Sequence, residues 1–220
     1  MIDAWKEALW PSLEDWEPQE LAEMRLANLD EIEEIHSTDW STESELALEE
    51  AKRIAQEEEE RRKTAESKAS NLLLAAAALA PIFTSLESTV WDGKMGTAPK
   101  WISLPILAIS VLYLCWGALW SLRALTAGNY VRVYQADLVG IWKNRRGIRR
   151  QLVSKTLSST RLNQDTINKK ISSVKMAHAF LFRAIVAFGM LILVQAFFEM
   201  WSVVSPHPSE VTRSTSPNKE

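Results

Sequence analysis

Apolar and charged residues occupy separate long blocks of this chain instead of alternating at helical or strand period. Three blocks are almost free of charge. The first, residues 69–86, opens on Asn71, Leu72, Leu73 and Leu74 and continues through four alanines. A helix of that length covers about 27 Å, just enough for a bilayer core of roughly 30 Å. The second, residues 101–122, has Trp101 at one end and Trp116 and Trp120 at the other, in the manner of interfacial aromatic belts. The third, residues 177–201, closes on Trp201. A buried helix of a soluble protein would carry a polar stripe, and these blocks carry almost none. The pattern predicts an all-α membrane protein with three transmembrane helices.

The flanking segments read as helix and tail. Residues 1–40 are acidic and rich in tryptophan, with Leu21, Met24, Leu29 and Ile32 recurring near a 3.6-residue period. One or two short amphipathic helices are expected there, interrupted at Pro11 and Pro18. Trp5, Trp10 and Trp16 are candidates for docking a cytoplasmic protein partner; a loosely ordered acidic tail is the competing reading. Residues 41–68 form a charged juxtamembrane helix. Thr42 and Glu45 have capping-box spacing, with Ser41 as an alternative cap. Glu57–Glu60 precede Arg61, Arg62 and Lys63 on neighbouring turns, which reads as a solvated face. No Gly or Pro interrupts residues 42–80, so this helix is expected to run unbroken into the first span. Residues 87–100 form a loop with Gly93, Gly96 and Pro99. Residues 123–176 form a basic helical region that leads straight into the third span. The tail, residues 202–220, is rich in Pro, Ser and Thr and reads as disordered.

Charge sharpens this picture. The whole chain is 24% charged with a net charge of −3. Residues 1–70, however, hold 21 of its 28 acids against 8 basic residues, a net of −13. Residues 123–175 hold 12 basic residues against Asp137 and Asp165 alone, a net of +10. Basic loops stay in the cytoplasm. That places the N-terminus and residues 123–176 inside, and residues 87–100 and the C-terminus outside, in the cell inner membrane. The opposed blocks then share one compartment. They are expected to pack into a cytoplasmic, coiled-coil-like helical stalk; an alternative lays the basic region on anionic lipid.

Candidate chemistry is sparse. The one cysteine, Cys115, reads as a small buried hydrophobe. His36, His178 and His207 are far apart and lack acidic neighbours at metal-ligand spacing. There is no phosphate loop, no nucleophile elbow and no carboxylate pair in an apolar run. The expectation is a non-enzymatic protein with no cofactor, no metal and no nucleic-acid partner. Its partners would be the lipid bilayer and further copies of itself. The third span holds the candidate functional polar residues. Arg183 lies about two turns in, Glu199 stands beside Trp201, and Gln195 precedes Glu199 by one turn. An ionisable group inside a membrane is a functional candidate, although both charged residues could also snorkel to the headgroups.

The run Arg61-Arg62-Lys63, then Lys68-Ala69, then Leu72-Leu73, opens the first span, and Asn163, Asn168, Lys169 and Lys170 lead towards the last. Over residues 45–200 this resembles a bacterial group of small membrane proteins that includes the Pycsar-type transmembrane effectors and SLATT-domain proteins. The resemblance implies an effector of a nucleotide-signalling anti-phage defence system that oligomerises and disrupts the inner membrane. This chain departs from the group in having no visible nucleotide-binding domain; the acidic N-terminal segment stands in its place. Two other readings stay open: a scaffold or regulatory subunit that holds a cytoplasmic partner through that segment, and a channel or transporter subunit.

Overall fold

The computed structural model describes residues 18–91, 98–126, 128, 130–144 and 147–204. Among them are five helices and no strand: α1 Pro18–Ser37, α2 Ser44–Trp91, α3 Lys100–Thr126, α4 Gln135–Asn144 and α5 Ile148–Val204. Trp5, Trp10 and Trp16 lie outside the described residues, as does nearly all of the 202–220 tail.

Local chemistry sets the helix ends. Pro18 opens α1, where its fixed φ and missing N–H cost nothing. At the other end, the hydroxyls of Ser37 and Thr38 donate to the Glu34 carbonyl (3.1 and 2.7 Å), and the Trp40 indole donates to the Ile35 carbonyl (2.9 Å). These bonds satisfy carbonyls that a helix terminus leaves unpaired. The charged segment and the first apolar run form one helix, α2, of 48 residues. It starts at Ser44 and not at the expected Thr42 cap. Ser41 is tied back to Asp39 by two hydrogen bonds (3.2 and 2.9 Å), and Glu43 takes a left-handed φ of 51°, so the chain is still turning there. In front of α4, the Tyr134 N–H donates to Asp137 Oδ2 at 3.0 Å, the return half of a capping box. α5, 57 residues long, takes in most of the basic region and the whole third apolar run.

The inward-facing positions of the three long helices recur every 3.5 residues, in alternating steps of three and four. In α3, Ser103, Leu107, Ser110, Leu114, Gly117, Ser121 and Ala124 are all buried. In α2 the same rhythm runs from Ala51 through Glu58, Arg62, Ala65, Ala69 and Ala76 to Phe83, and in α5 from Val153 through Ile167 and Lys170 to Gln195. A repeat of 3.5 keeps one seam of a helix turned towards its neighbours over many turns. Alanine, serine and glycine on that seam let backbones approach closely. Cys115 falls one residue beyond the seam position Leu114 and is exposed, which corrects its reading as a buried hydrophobe.

The chain divides into two compact units: Met1–Ala75 with Trp116–Phe180, and Ala76–Cys115 with Leu181–Glu220. α2, α3 and α5 contribute residues to both. In the first unit, acidic α1, α2 and the turn between them meet basic α5: Glu45 pairs with Arg149 (3.3 Å), Asp39 of the turn with Arg150 (3.5 Å) and Glu31 with Arg161. The Arg149 and Arg150 pairs are exposed, and such pairs each contribute about 0–1 kcal/mol. The interior of this unit is built by Val153, Ile167 and Phe180, each almost fully buried. The second unit packs Phe83 on Phe188 with ring centroids 4.6 Å apart and buries Leu107 and Leu191. Its outer surface is apolar, with Ile109, Leu112, Phe182, Leu193, Phe197 and Trp201 exposed. Contiguous exposure of this kind suits lipid and not water. α2, α3 and α5 are long and apolar enough to cross a membrane, with best-window mean hydropathies of 1.2, 2.1 and 2.2. The first value is the lowest because Ser70, Asn71, Pro81, Thr84 and Ser85 interrupt that run.

One glycine in the first unit is fixed by space and backbone alike. Gly128 has φ +108°, and a Cβ there would stand 2.1 Å from Thr166 Cγ2. Gly128→Ala is therefore expected to destabilise the protein through both a clash and backbone strain. Adding Thr166→Ser removes the clashing methyl and should recover the clash component, leaving about 1–3 kcal/mol of strain. Thermal unfolding of the two variants in mild detergent measures both parts. Equal stability of Gly128→Ala and wild type would refute the assignment.

Candidate functional site

The most densely connected polar site lies inside the first unit, where Glu58 and Arg62 take seam positions of α2 and Lys170 one of α5. α2 presents Glu58, Glu59, Arg62 and Glu66. α5 presents Thr160, Asn163 and Lys170, and the segment after α3 adds Tyr130 and Arg132. Lys170 is only 2% exposed, and its ammonium donates to Glu66 Oε1 at 2.7 Å. Arg62 reaches both oxygens of Glu66 (3.0 and 3.2 Å) and also bonds Glu59 (2.9 Å). The Tyr130 ring lies against both cations, 5.0 Å from the Arg62 guanidinium and 5.3 Å from the Lys170 ammonium. Glu58 is 8% exposed; it accepts from Arg61 (2.6 Å) and Gln164 (3.3 Å). Asn163 clamps the Tyr130 segment, accepting from the Val131 N–H (2.8 Å) and donating to the Val131 carbonyl (2.7 Å). Between these groups lies a cavity of about 190 Å³.

The electrostatics follow from this geometry. The hydrogen bond from Arg62 holds the Glu59 carboxyl below its ordinary value. Burial pushes the Glu66 carboxyl up, but the Lys170 ammonium and the Arg62 guanidinium outweigh it and hold the carboxyl below 4.5. Both carboxylates stay ionised and serve as fixed anions. The cluster contains no nucleophile paired with a base. Among the described residues no group of three His, Cys, Asp or Glu side chains could hold a metal ion. What this arrangement does is lock α2, α5 and the Tyr130 segment together.

The residues singled out in the third span are placed as follows. Gln195 is 8% exposed, and its amide donates to Ser103 Oγ on α3 at 2.8 Å, an interhelical polar contact inside the apolar second unit. Glu199 is exposed one turn further on, and half-buried Arg183 lies 12 residues before Gln195, about 18 Å along the helix. The structure thus joins Gln195 to α3 and does not gather the three into one site. Two features escaped the sequence reading. Ser103 was legible as part of the Ser103, Ser110, Ser121 series in an apolar run. Glu58 and Arg62 were legible as members of the 51, 55, 58, 62, 65, 69 series, in which the charges sit inside and not on a solvated face.

Fold and surface together define an all-α protein with three helices suited to crossing a membrane. No family model matches the chain, and no curated protein and no solved structure is similar to it.

The charged core makes an asymmetric prediction. Glu66→Leu strands a buried ammonium and should cost about 3–5 kcal/mol, whereas Lys170→Met leaves Glu66 paired with Arg62 and should cost far less. Acid should mimic the first variant. A depressed carboxyl stabilises the fold above its unfolded value, near 4.5, and that stabilisation is lost as pH falls through the folded value. The wild-type melting temperature should therefore drop below about pH 4.5, and Glu66→Leu should lack that part of the drop. Equal costs for the two variants would contradict the assignment of Glu66 as the anion that Lys170 requires.

Proposed function

We propose that the protein is a non-enzymatic effector of a bacterial inner membrane, acting within an anti-phage defence system by oligomerising and disrupting the bilayer. In this reading the charged unit lies in the cytoplasm as a coiled-coil-like helical stalk, with the N-terminus inside and the C-terminus outside. A signal reaches that unit, and the apolar helices carry the response. The observation that carries the reading is the buried Gln195 amide bonded to Ser103 among apolar helices. A side-chain amide in hydrocarbon bonds across helices or meets water. Rearranging such a contact between copies would open a polar path. The resemblance of the helix-entry sequences supports the defence context.

Expression of the protein with its trigger should depolarise cells, and Gln195→Leu should abolish depolarisation while leaving the protein in the membrane fraction. Membrane-potential dye readings with matched expression levels test this. A wild type that never depolarises cells, even with its native neighbouring genes and their trigger present, would end the effector reading. Labelling of a cysteine at position 147 by an impermeant reagent in intact cells, with Cys115 replaced, would contradict the orientation.

A further inference from the structure

In the first unit, α2 and α5 enter their apolar runs at the same level. Ala69 opens one run and Ala177 the other, within about two turns of the Glu66–Lys170 contact. Between the helices at that level lies a groove of about 520 Å³, lined by Lys68, Asn71, Leu72, Val174, Lys175 and His178. Its composition is sorted: two ammonium groups, an amide and an imidazole stand around two half-buried aliphatic side chains. No carboxylate lines it; an adjoining groove shares Lys68, Val174 and Lys175 and adds Glu57 and Glu60, of which Glu57 pairs with Arg53 and Glu60 accepts from Gln56. Neighbouring cations are committed elsewhere. Arg61 pairs with Glu58, Arg62 with Glu59 and Glu66, Lys63 with Glu59, and Lys170 with Glu66. Lys68 and Lys175 have no carboxylate partner among the described residues.

We propose that this groove binds the phosphate-bearing headgroup of an anionic phospholipid. The place where a spanning helix changes from charged to apolar lies at the headgroup layer of a bilayer. A basic pocket there meets a phosphodiester and not bulk water. Lys68 and Lys175 supply the charge, and Asn71 and His178 add hydrogen-bonding groups. Leu72 and Val174 give the acyl chains a surface to follow. The inference rests on α2 and α5 crossing a bilayer, which is part of the function proposed above, and not on effector activity.

The test uses the full chain purified in a non-ionic detergent. Its retention in carbonate-washed membranes establishes crossing separately. Native mass spectrometry then titrates phosphatidylglycerol, phosphatidylcholine and glycerol 3-phosphate, which has the headgroup phosphate without acyl chains. Phosphatidylglycerol should be retained well above the other two. Lys68→Ala with Lys175→Ala should weaken its binding about 30-fold, the equivalent of about 1 kcal/mol per lysine. Lys68→Arg with Lys175→Arg should preserve it, as should Lys143→Ala on α4. Equal retention of phosphatidylcholine and phosphatidylglycerol would overturn the proposal. So would glycerol 3-phosphate binding as tightly as the lipid, or a folded double-alanine variant with unchanged affinity. If the double-alanine variant fails to fold, the wild-type preference between the two lipids decides alone.

Discussion

A lysine ammonium removed from water must find an anion within the protein, and Lys170, at 2% exposure, finds it in Glu66 on a helix more than 100 residues earlier. Much of the first unit follows from that requirement. Glu66 must sit at the level of Lys170, so the register of α2 against α5 is fixed. Arg62, one turn before Glu66, then balances the second charge and bonds Glu59. Tyr130 is drawn in as the aromatic face shared by both cations, and Asn163 holds its segment in place. Removing one partner of a buried ion pair is costly even where the intact pair adds little net stability. A slip of one heptad would place Lys170 opposite Glu59 and leave Glu66 with Arg62 alone.

The second constraint is the 3.5-residue seam. The same periodicity serves two sequence chemistries, charged before Ala69 and apolar after it. Small residues occupy the seam in each unit: Ala65 and Ala69 on α2 with Gly117 and Ser121 on α3 in the first, and Ala76 with Ser103 and Ser110 in the second. The occupants change with the unit: Glu58, Arg62 and Lys170 sit on the seam in the first, while Phe83, Leu107 and Leu191 are buried in the second beneath an outer face of Phe, Leu, Ile and Met.

Much of this was legible from residues alone. Three long uncharged blocks can be little other than helices meant for hydrocarbon, and an unbroken run without Gly or Pro does become the single helix α2. Pro18, expected to interrupt a helix, instead opens α1, where its fixed φ fits and no donor is needed. What stayed hidden needed a partner to become visible. Glu57–Glu60 look alike in sequence, yet Glu58 turns inward and Glu57 outward, because the 3.5-residue seam selects one of them. Thr42 had the right type and spacing for a cap but lost to a turn in which Asp39 holds Ser41. Gln195 was evident as a polar residue in an apolar run and Ser103 belonged to a visible serine series, but their pairing appeared only when the two helices were brought together. The grouping of Lys68 with Lys175 was likewise out of reach, since more than 100 residues separate them in the chain.

Glu66 and Lys170 lock α2 to α5. A charge-exchange cycle tests this lock most directly, using Glu66→Lys, Lys170→Glu and the double exchange, each unfolded thermally in the same detergent at neutral pH. Each single reversal is expected to be severely destabilising, and the double exchange to recover at least about 2 kcal/mol relative to their sum, the coupling expected of side chains in direct contact. Additive losses, with the double exchange as unstable as the two reversals combined, would contradict the lock.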